Sequence, residues 1–177
     1  MSPSKLELLA AWLPRQQWYV GPESPELHRS GGFRLDDPAG EVGIEFMIVN
    51  AVGADSMVTY HVPMTYRGEP LRAAEPALIG TATHGVLGQR WIYDGTADPV
   101  LLDQLTALLC GDVLAQHQSR SDEVAEGVFV STAQREVAGT AHILRVPAEG
   151  PVHGAPSVVT TWVNGDGAEV GGAVVAP

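Results

Sequence analysis

The chain opens on a helical period. Ser4 is placed to cap a short helix, with Glu7 three residues on as in a capping box. Leu6, Leu9, Ala10 and Leu13 then fall on one face, and Pro14 ends the run. Trp18 and Tyr19 follow, and then a loop rich in turn formers: Gly21, Pro22, Pro25, Gly31 and Gly32. The pattern next becomes that of strands. Phe33 to Leu35 predicts a short strand and Asp36 to Gly40 a turn. Val42 to Val52 and Met57 to Tyr66 predict a hairpin through Gly53-Ala54-Asp55-Ser56. Val58, Tyr60 and Val62 alternate with Thr59 and His61, which predicts one buried face for the second of these strands.

Leu71 to Gly80 stays ambiguous, and Val86 to Tyr93 predicts another strand. Asp98 and Pro99 then read as the N-cap and first position of a helix. Leu101, Leu105, Leu108 and Leu109 share its face, and the pattern carries it to about Gln116. A polar connector runs from Gln116 to Asp122. Beyond it, strands are expected over Gly127 to Arg135, Ala141 to Val146, Ser157 to Val163 and Glu169 to Val175, the last two joined by an Asn164-Gly165 hairpin turn. Strands that follow one another by hairpins give a mostly antiparallel sheet, so the expected class is α+β.

Composition narrows the function classes. A chain of 177 residues with 45% hydrophobic residues is long enough to bury a core as one domain, or one domain with a small appendage. A net charge of −11 with no basic cluster argues against nucleic acid and against anionic membrane surfaces. Cys110 is the single cysteine, so no intrachain disulfide forms, which fits a reducing compartment. Glu7 and Pro14 break the first apolar run, so no signal peptide is read, and no stretch approaches the ~20 apolar residues of a membrane span. The expected location is cytoplasmic. Lys5 is the only lysine beside nine arginines, a bias that suggests a GC-rich bacterial genome.

Four segments carry a resemblance. They are Leu8-Leu9 with Leu13-Pro14-Arg15-Gln16-Gln17-Trp18-Tyr19; Tyr60 to Tyr66; Pro76 to Gly80; and Trp91-Ile92-Tyr93-Asp94-Gly95 with Asp98-Pro99. In order and spacing they resemble the N-terminal cap domain of bacterial maltokinases. Gln17 stands where that family's cap has Arg, and Val20-Gly21-Pro22 replaces its Gly-Lys-Gly. The resemblance implies a cap-like domain over residues 1–118, built as a curled antiparallel sheet around a helix, similar to cystatins. Residues 122–177 resemble the start of a kinase small lobe, expected to pack on the cap. In full maltokinases a kinase body follows and transfers phosphate from ATP to maltose.

Phosphoryl transfer needs a lysine on the third strand of the small lobe, a catalytic loop and metal-binding acids. The strand Ala141 to Val146 offers Arg145 instead, a planar fork rather than a point donor. No His-x-Asp, Asp-Phe-Gly or Asp-x-Asp motif occurs, and 177 residues leave no room for a large lobe. The first expectation is therefore a non-catalytic, cap-like interaction or regulatory module with a protein partner in maltose or α-glucan metabolism. The alternative is a binder of a sugar or glucan, stacking it on Trp18, Tyr19, Tyr60, Trp91 and Tyr93, where the bland reading is core packing. A third reading is an enzyme of unrecognised type. No catalytic residue, cofactor or metal site is assigned. Cys110 reads as a structural thiol. His61 and His84 would meet near Asp55 or Asp94 only if their strands pair, and no metal-ligand spacing supports such a site. His153 and the other histidines carry no signal.

Overall fold

The strand from Gly43 to Val52 (β2) is buried along nearly its whole length. That needs cover on both faces, and it explains why the sequence there is a continuous apolar run rather than an alternation. The computed structural model describes residues 1–53, 57–120, 123–138, 141–150 and 155–177. In chain order the elements are α1 (Lys5–Trp12), β1 (Glu26–Leu35), β2, β3 (Met57–Arg67), β4 (Leu78–His84), β5 (Gly88–Asp94), α2 (Pro99–Cys110), β6 (Phe129–Ser131), α3 (Arg135–Ala138), β7 (His142–Glu149), β8 (Ser157–Val163) and β9 (Glu169–Ala176). The strands form one nine-stranded antiparallel sheet in the order β4-β5-β3-β2-β1-β8-β9-β7, with β6 on β8. It curls into a half-barrel, so the fold is α+β, with an antiparallel sheet packed on helices.

Each face has its own core. On one side α1 sets Leu9, Trp12 and Leu13 against Met47, Val49, Tyr60, Val62 and Met64. On the other, α2 sets Leu101, Leu105 and Leu108 against Phe33, Ile44, Phe46 and Ile48, and Trp162, Val174 and Val175 extend this core. The two helices begin as their sequences dictate. Ser4 and Glu7 complete the capping box of α1. The Asp98 carboxylate accepts from the Val100 N–H at the start of α2.

Four elements differ from expectation. α2 stops at Cys110, not near Gln116, because Gly111 adopts φ 79°, a left-handed C-cap that ends the helix despite the apolar residues beyond. β1 starts at Glu26 and passes through Ser30 and Gly31, where its register on β2 shifts. A bulge tolerates these small residues, which hid the strand from the pattern. β3 is buried on both faces from Tyr60 to Thr65, so His61 is interior rather than solvent-facing. The segment read as one strand from Gly127 is a three-residue β6 followed by the single turn α3. The hairpin link at Ala54, Asp55 and Ser56, the connector residues Ser121 and Asp122, and His153 lie outside the described residues.

Two contacts fix the place of the C-terminal strands. β8 joins β1 at Gly31 and Trp162, and the Asn50 side chain donates to the Val163 carbonyl at 2.9 Å. β7 leaves its ladder with β9 between Ile143 and Ala148, and the released residues reach β3. There His61 Nδ1 lies 2.9 Å from the Leu144 carbonyl oxygen, and the imidazole stacks on Phe46.

Burial, opposed by the Leu144 carbonyl and reinforced by Arg145, pushes the His61 pKa down to about 4 from its ordinary 6.5. The unfolded chain therefore binds this proton at higher pH than the folded one. The stability His61 contributes is complete above pH 6.5 and is lost as pH falls toward 4. Urea denaturation at pH 7 and pH 4.5 should differ by about 2 kcal/mol more in the wild type than in His61→Gln, which does not titrate. Equal differences in the two proteins would refute this role.

Candidate functional site

The five predicted aromatics separate into two groups. Trp18, Tyr19 and Tyr60 meet at the end of α1, with ring centroids 5.8 Å apart for Trp18 and Tyr60 and 5.1 Å for Tyr19 and Tyr60. The Tyr60 hydroxyl donates to the Val20 carbonyl and accepts from its N–H, and burial raises the pKa of both tyrosines. Trp91 and Tyr93 pair with Arg67 and Thr65 across β5 and β3, which puts them on the opposite face of the sheet from Tyr60. Tyr60 and Tyr93 are fully enclosed and offer no ring face to solvent, whereas Trp18, Tyr19 and Trp91 remain half-exposed.

The segment from Trp91 to Asp98 is the corner that joins sheet, helix and C-terminal strands. The Leu71 N–H donates to the Tyr93 hydroxyl at 2.9 Å. Asp94 accepts from Arg145 of β7 at 2.5 Å and from Thr96. Arg145 also donates to the Thr96 hydroxyl at 3.0 Å, and its guanidinium lies 4.9 Å from the centre of the Trp18 ring. At Gly95 a Cβ would lie 2.2 Å from a Leu101 methyl carbon and 3.3 Å from the Pro63 backbone, so glycine alone lets the helix start this close to β3. Asp98, wholly buried, takes two parallel bonds from Arg67, each 2.7 Å. Burial pushes the Asp98 pKa up, but bonds from Arg67, Thr65 and the Val100 N–H outweigh it and leave the carboxyl below its usual range.

A second constellation was not singled out from the sequence. Glu45 on β2 has a side chain only 3% exposed. Its carboxylate accepts from Lys5 Nζ at 2.5 Å, from the Tyr66 hydroxyl at 2.5 Å and from Gln118 Nε2 at 2.6 Å. Lys5 Nζ lies 5.1 Å from the Tyr66 ring centre. Burial, with the Glu45 charge beside it, drives the Tyr66 pKa well up. These four residues line a cavity of about 690 Å³, with Arg34, Asp37, Gly43 and Arg90 on its walls. Neither this cavity nor two of about 530 Å³ beside Trp162 includes any of the five predicted aromatics. The one signal for Glu45 in the sequence is a lone charge within an apolar run.

The histidine pair does not assemble. β5 lies between β3 and β4, so His61 and His84 are not on neighbouring strands, and His84 Nδ1 accepts from the Val86 and Leu87 N–H groups of its own turn. Among the described residues no three His, Cys, Asp or Glu side chains gather as a metal site. Cys110 is partly exposed.

A helix held on one face of a curled antiparallel sheet, with a second helix leaving from the Trp91 to Asp98 corner, defines an α+β domain. Residues 12–98 match the family model of the maltokinase N-terminal cap domain, and this stretch is similar to that family. The match links this stretch to maltokinases. No curated protein matches the chain. Among the described residues no helix is long and apolar enough to cross a membrane.

Proposed function

We propose that these 177 residues form a non-catalytic interaction or regulatory module of maltose and α-glucan metabolism. The observation that carries this reading is the commitment of Arg145. On the strand where a kinase small lobe would present its phosphate-binding lysine, this side chain is turned into the cap, paired with Asp94 and laid on Trp18. It fastens β7 to the cap through Nη2, and Nη1 is buried away from solvent, so the guanidinium is not presented to a nucleotide. β4, at the end of the sheet order with its outer edge bridged by Ser2 at Thr83, and the exposed Val86 and Leu87 at the β4–β5 turn supply an edge and an apolar tip of the kind that dock on another protein.

The test combines two measurements on the purified protein. ATP with Mg²⁺ should leave the melting temperature unchanged, whereas a true ligand at ~100 times its Kd would add about 2.7 kcal/mol, roughly 5–10 °C at this size. Immobilised protein should capture a purified maltokinase body with a Kd of about 10 μM or tighter, weakened by Val86→Asp. An ATP shift, or no binding to the kinase body or to α-glucan enzymes of the same cell, would refute the proposal.

A further inference from the structure

We infer that the cavity floored by Lys5, Glu45, Tyr66 and Gln118 is a binding site for a neutral, hydroxyl-rich molecule of mono- or disaccharide size. The cavity borders the docking tip at Leu87, but the inference does not rest on the docking role proposed above. It starts from the position of Glu45. A carboxylate at 3% side-chain exposure has lost its water, a cost of several kcal/mol unless partners replace it. Three partners do, and they come from α1, from β3 and from the connector after α2. Apolar residues in place of the whole network would fasten the same elements with less desolvation.

The cavity is open to solvent-borne ligands and has suitable chemistry. Its volume of about 690 Å³ falls within the range of small-molecule sites. After its bond to Glu45, the Lys5 ammonium still has two protons, the Tyr66 hydroxyl has acceptor capacity, and the Gln118 amide has both a donor and an acceptor. Gly43 has no side chain to cover the edge of the Tyr66 ring, from which a Cβ would stand only 3.3 Å. Paired donors and acceptors beside an aromatic ring match the alternating hydroxyls and apolar C–H faces of a sugar.

Charge decides against the other ligand classes. Lys5 is neutralised by Glu45 and Arg34 by Asp36, at 3.3 Å. Asp37 is occupied by the Ala39, Glu41 and Val42 N–H groups of its own turn. Among the described residues, Arg90 is then the one cationic side chain left in the lining, against the carboxylates of Asp37 and Glu41. The site has neither the surplus of cations that a phosphate needs nor a vacant carboxylate cluster for a metal ion.

The test is an amide chemical-shift titration of the full chain with glucose, maltose and trehalose up to about 50 mM, and separately with inorganic phosphate. Saturable shifts with at least one sugar at Gly43, Tyr66 and Gln118, with a millimolar Kd, are expected. Tyr66→Phe and Gln118→Ala should each weaken that Kd about 10-fold while the rest of the spectrum stays in place. Gln118 lies on a partly exposed connector, so its variant keeps the test valid if Glu45 or Tyr66 variants fail to fold. No saturation with any sugar, saturation with phosphate alone, shifts centred elsewhere, or an unchanged Kd in Gln118→Ala would overturn the assignment. The network would then serve only to fasten α1 and the connector to the sheet.

Discussion

Asp98→Ala is expected to lower the unfolding free energy by about 3–5 kcal/mol, a large share of the ~5–15 kcal/mol available to a domain. Two roles disappear together. The wholly buried carboxylate holds Arg67 through two bonds of 2.7 Å, and it caps the first turn of α2. Alanine leaves a guanidinium that is only 20% exposed without its counter-charge, and leaves the Val100 N–H without its acceptor. Asp98→Asn should lose less, because asparagine keeps the cap and one acceptor but not the charge. The pH dependence has a definite sign. The folded carboxyl titrates below its ordinary 3.8, so the stability it contributes is present above that value and is lost as pH falls further. Urea unfolding of the three proteins at pH 7 is the measurement. An Asp98→Ala variant within ~1 kcal/mol of wild type would show that the corner does not depend on this pair.

Arg145→Ala should cost about 3–5 kcal/mol as well, by a different route. Its side chain is 18% exposed and that of Asp94 11%, so removing the guanidinium strands a nearly buried carboxylate whose remaining side-chain partner is Thr96. The stack on Trp18 is lost with it. Arg145→Lys restores the charge but neither the bond to Thr96 nor the flat surface on the indole, and should recover only part of the loss. The surface pair Arg135–Asp112, at 66% and 54% exposure, is the control, and Arg135→Ala should cost less than ~1 kcal/mol. If both arginine variants behaved alike in denaturation, β7 would be held by its ladder and its contact with His61, and Arg145 would not be committed to the cap.

Much of the fold was legible because local signals sufficed. The capping box at Ser4 and Glu7, the Asp98-Pro99 helix start and the strand Ser157 to Val163 all sit where the sequence puts them. What was not legible came from distance. His61 sits in an alternating strand that reads as half-exposed, and only the return of β7 across β3 buries it. Gly111 was a readable stop, but Val113 and Leu114 continued the apolar pattern past it. The candidate cavity was hidden for the same reason. Lys5, Glu45, Tyr66 and Gln118 occupy four separate segments, and no spacing rule links them. The aromatics were visible, but composition could not divide them between the two faces of the sheet.

The insertion of β8 beside β1 has a kinetic consequence. β2–β3 and β8–β9 pair consecutive strands and close cheaply, whereas Asn50 and Val163, which meet at the seam between them, are 113 positions apart. The entropy of bringing such distant segments together must be met before their contacts contribute. The chain is therefore expected to form its two hairpin units early and to be limited by their joining. During that interval the open edge of β1 is the surface on which mispairing with another copy would begin.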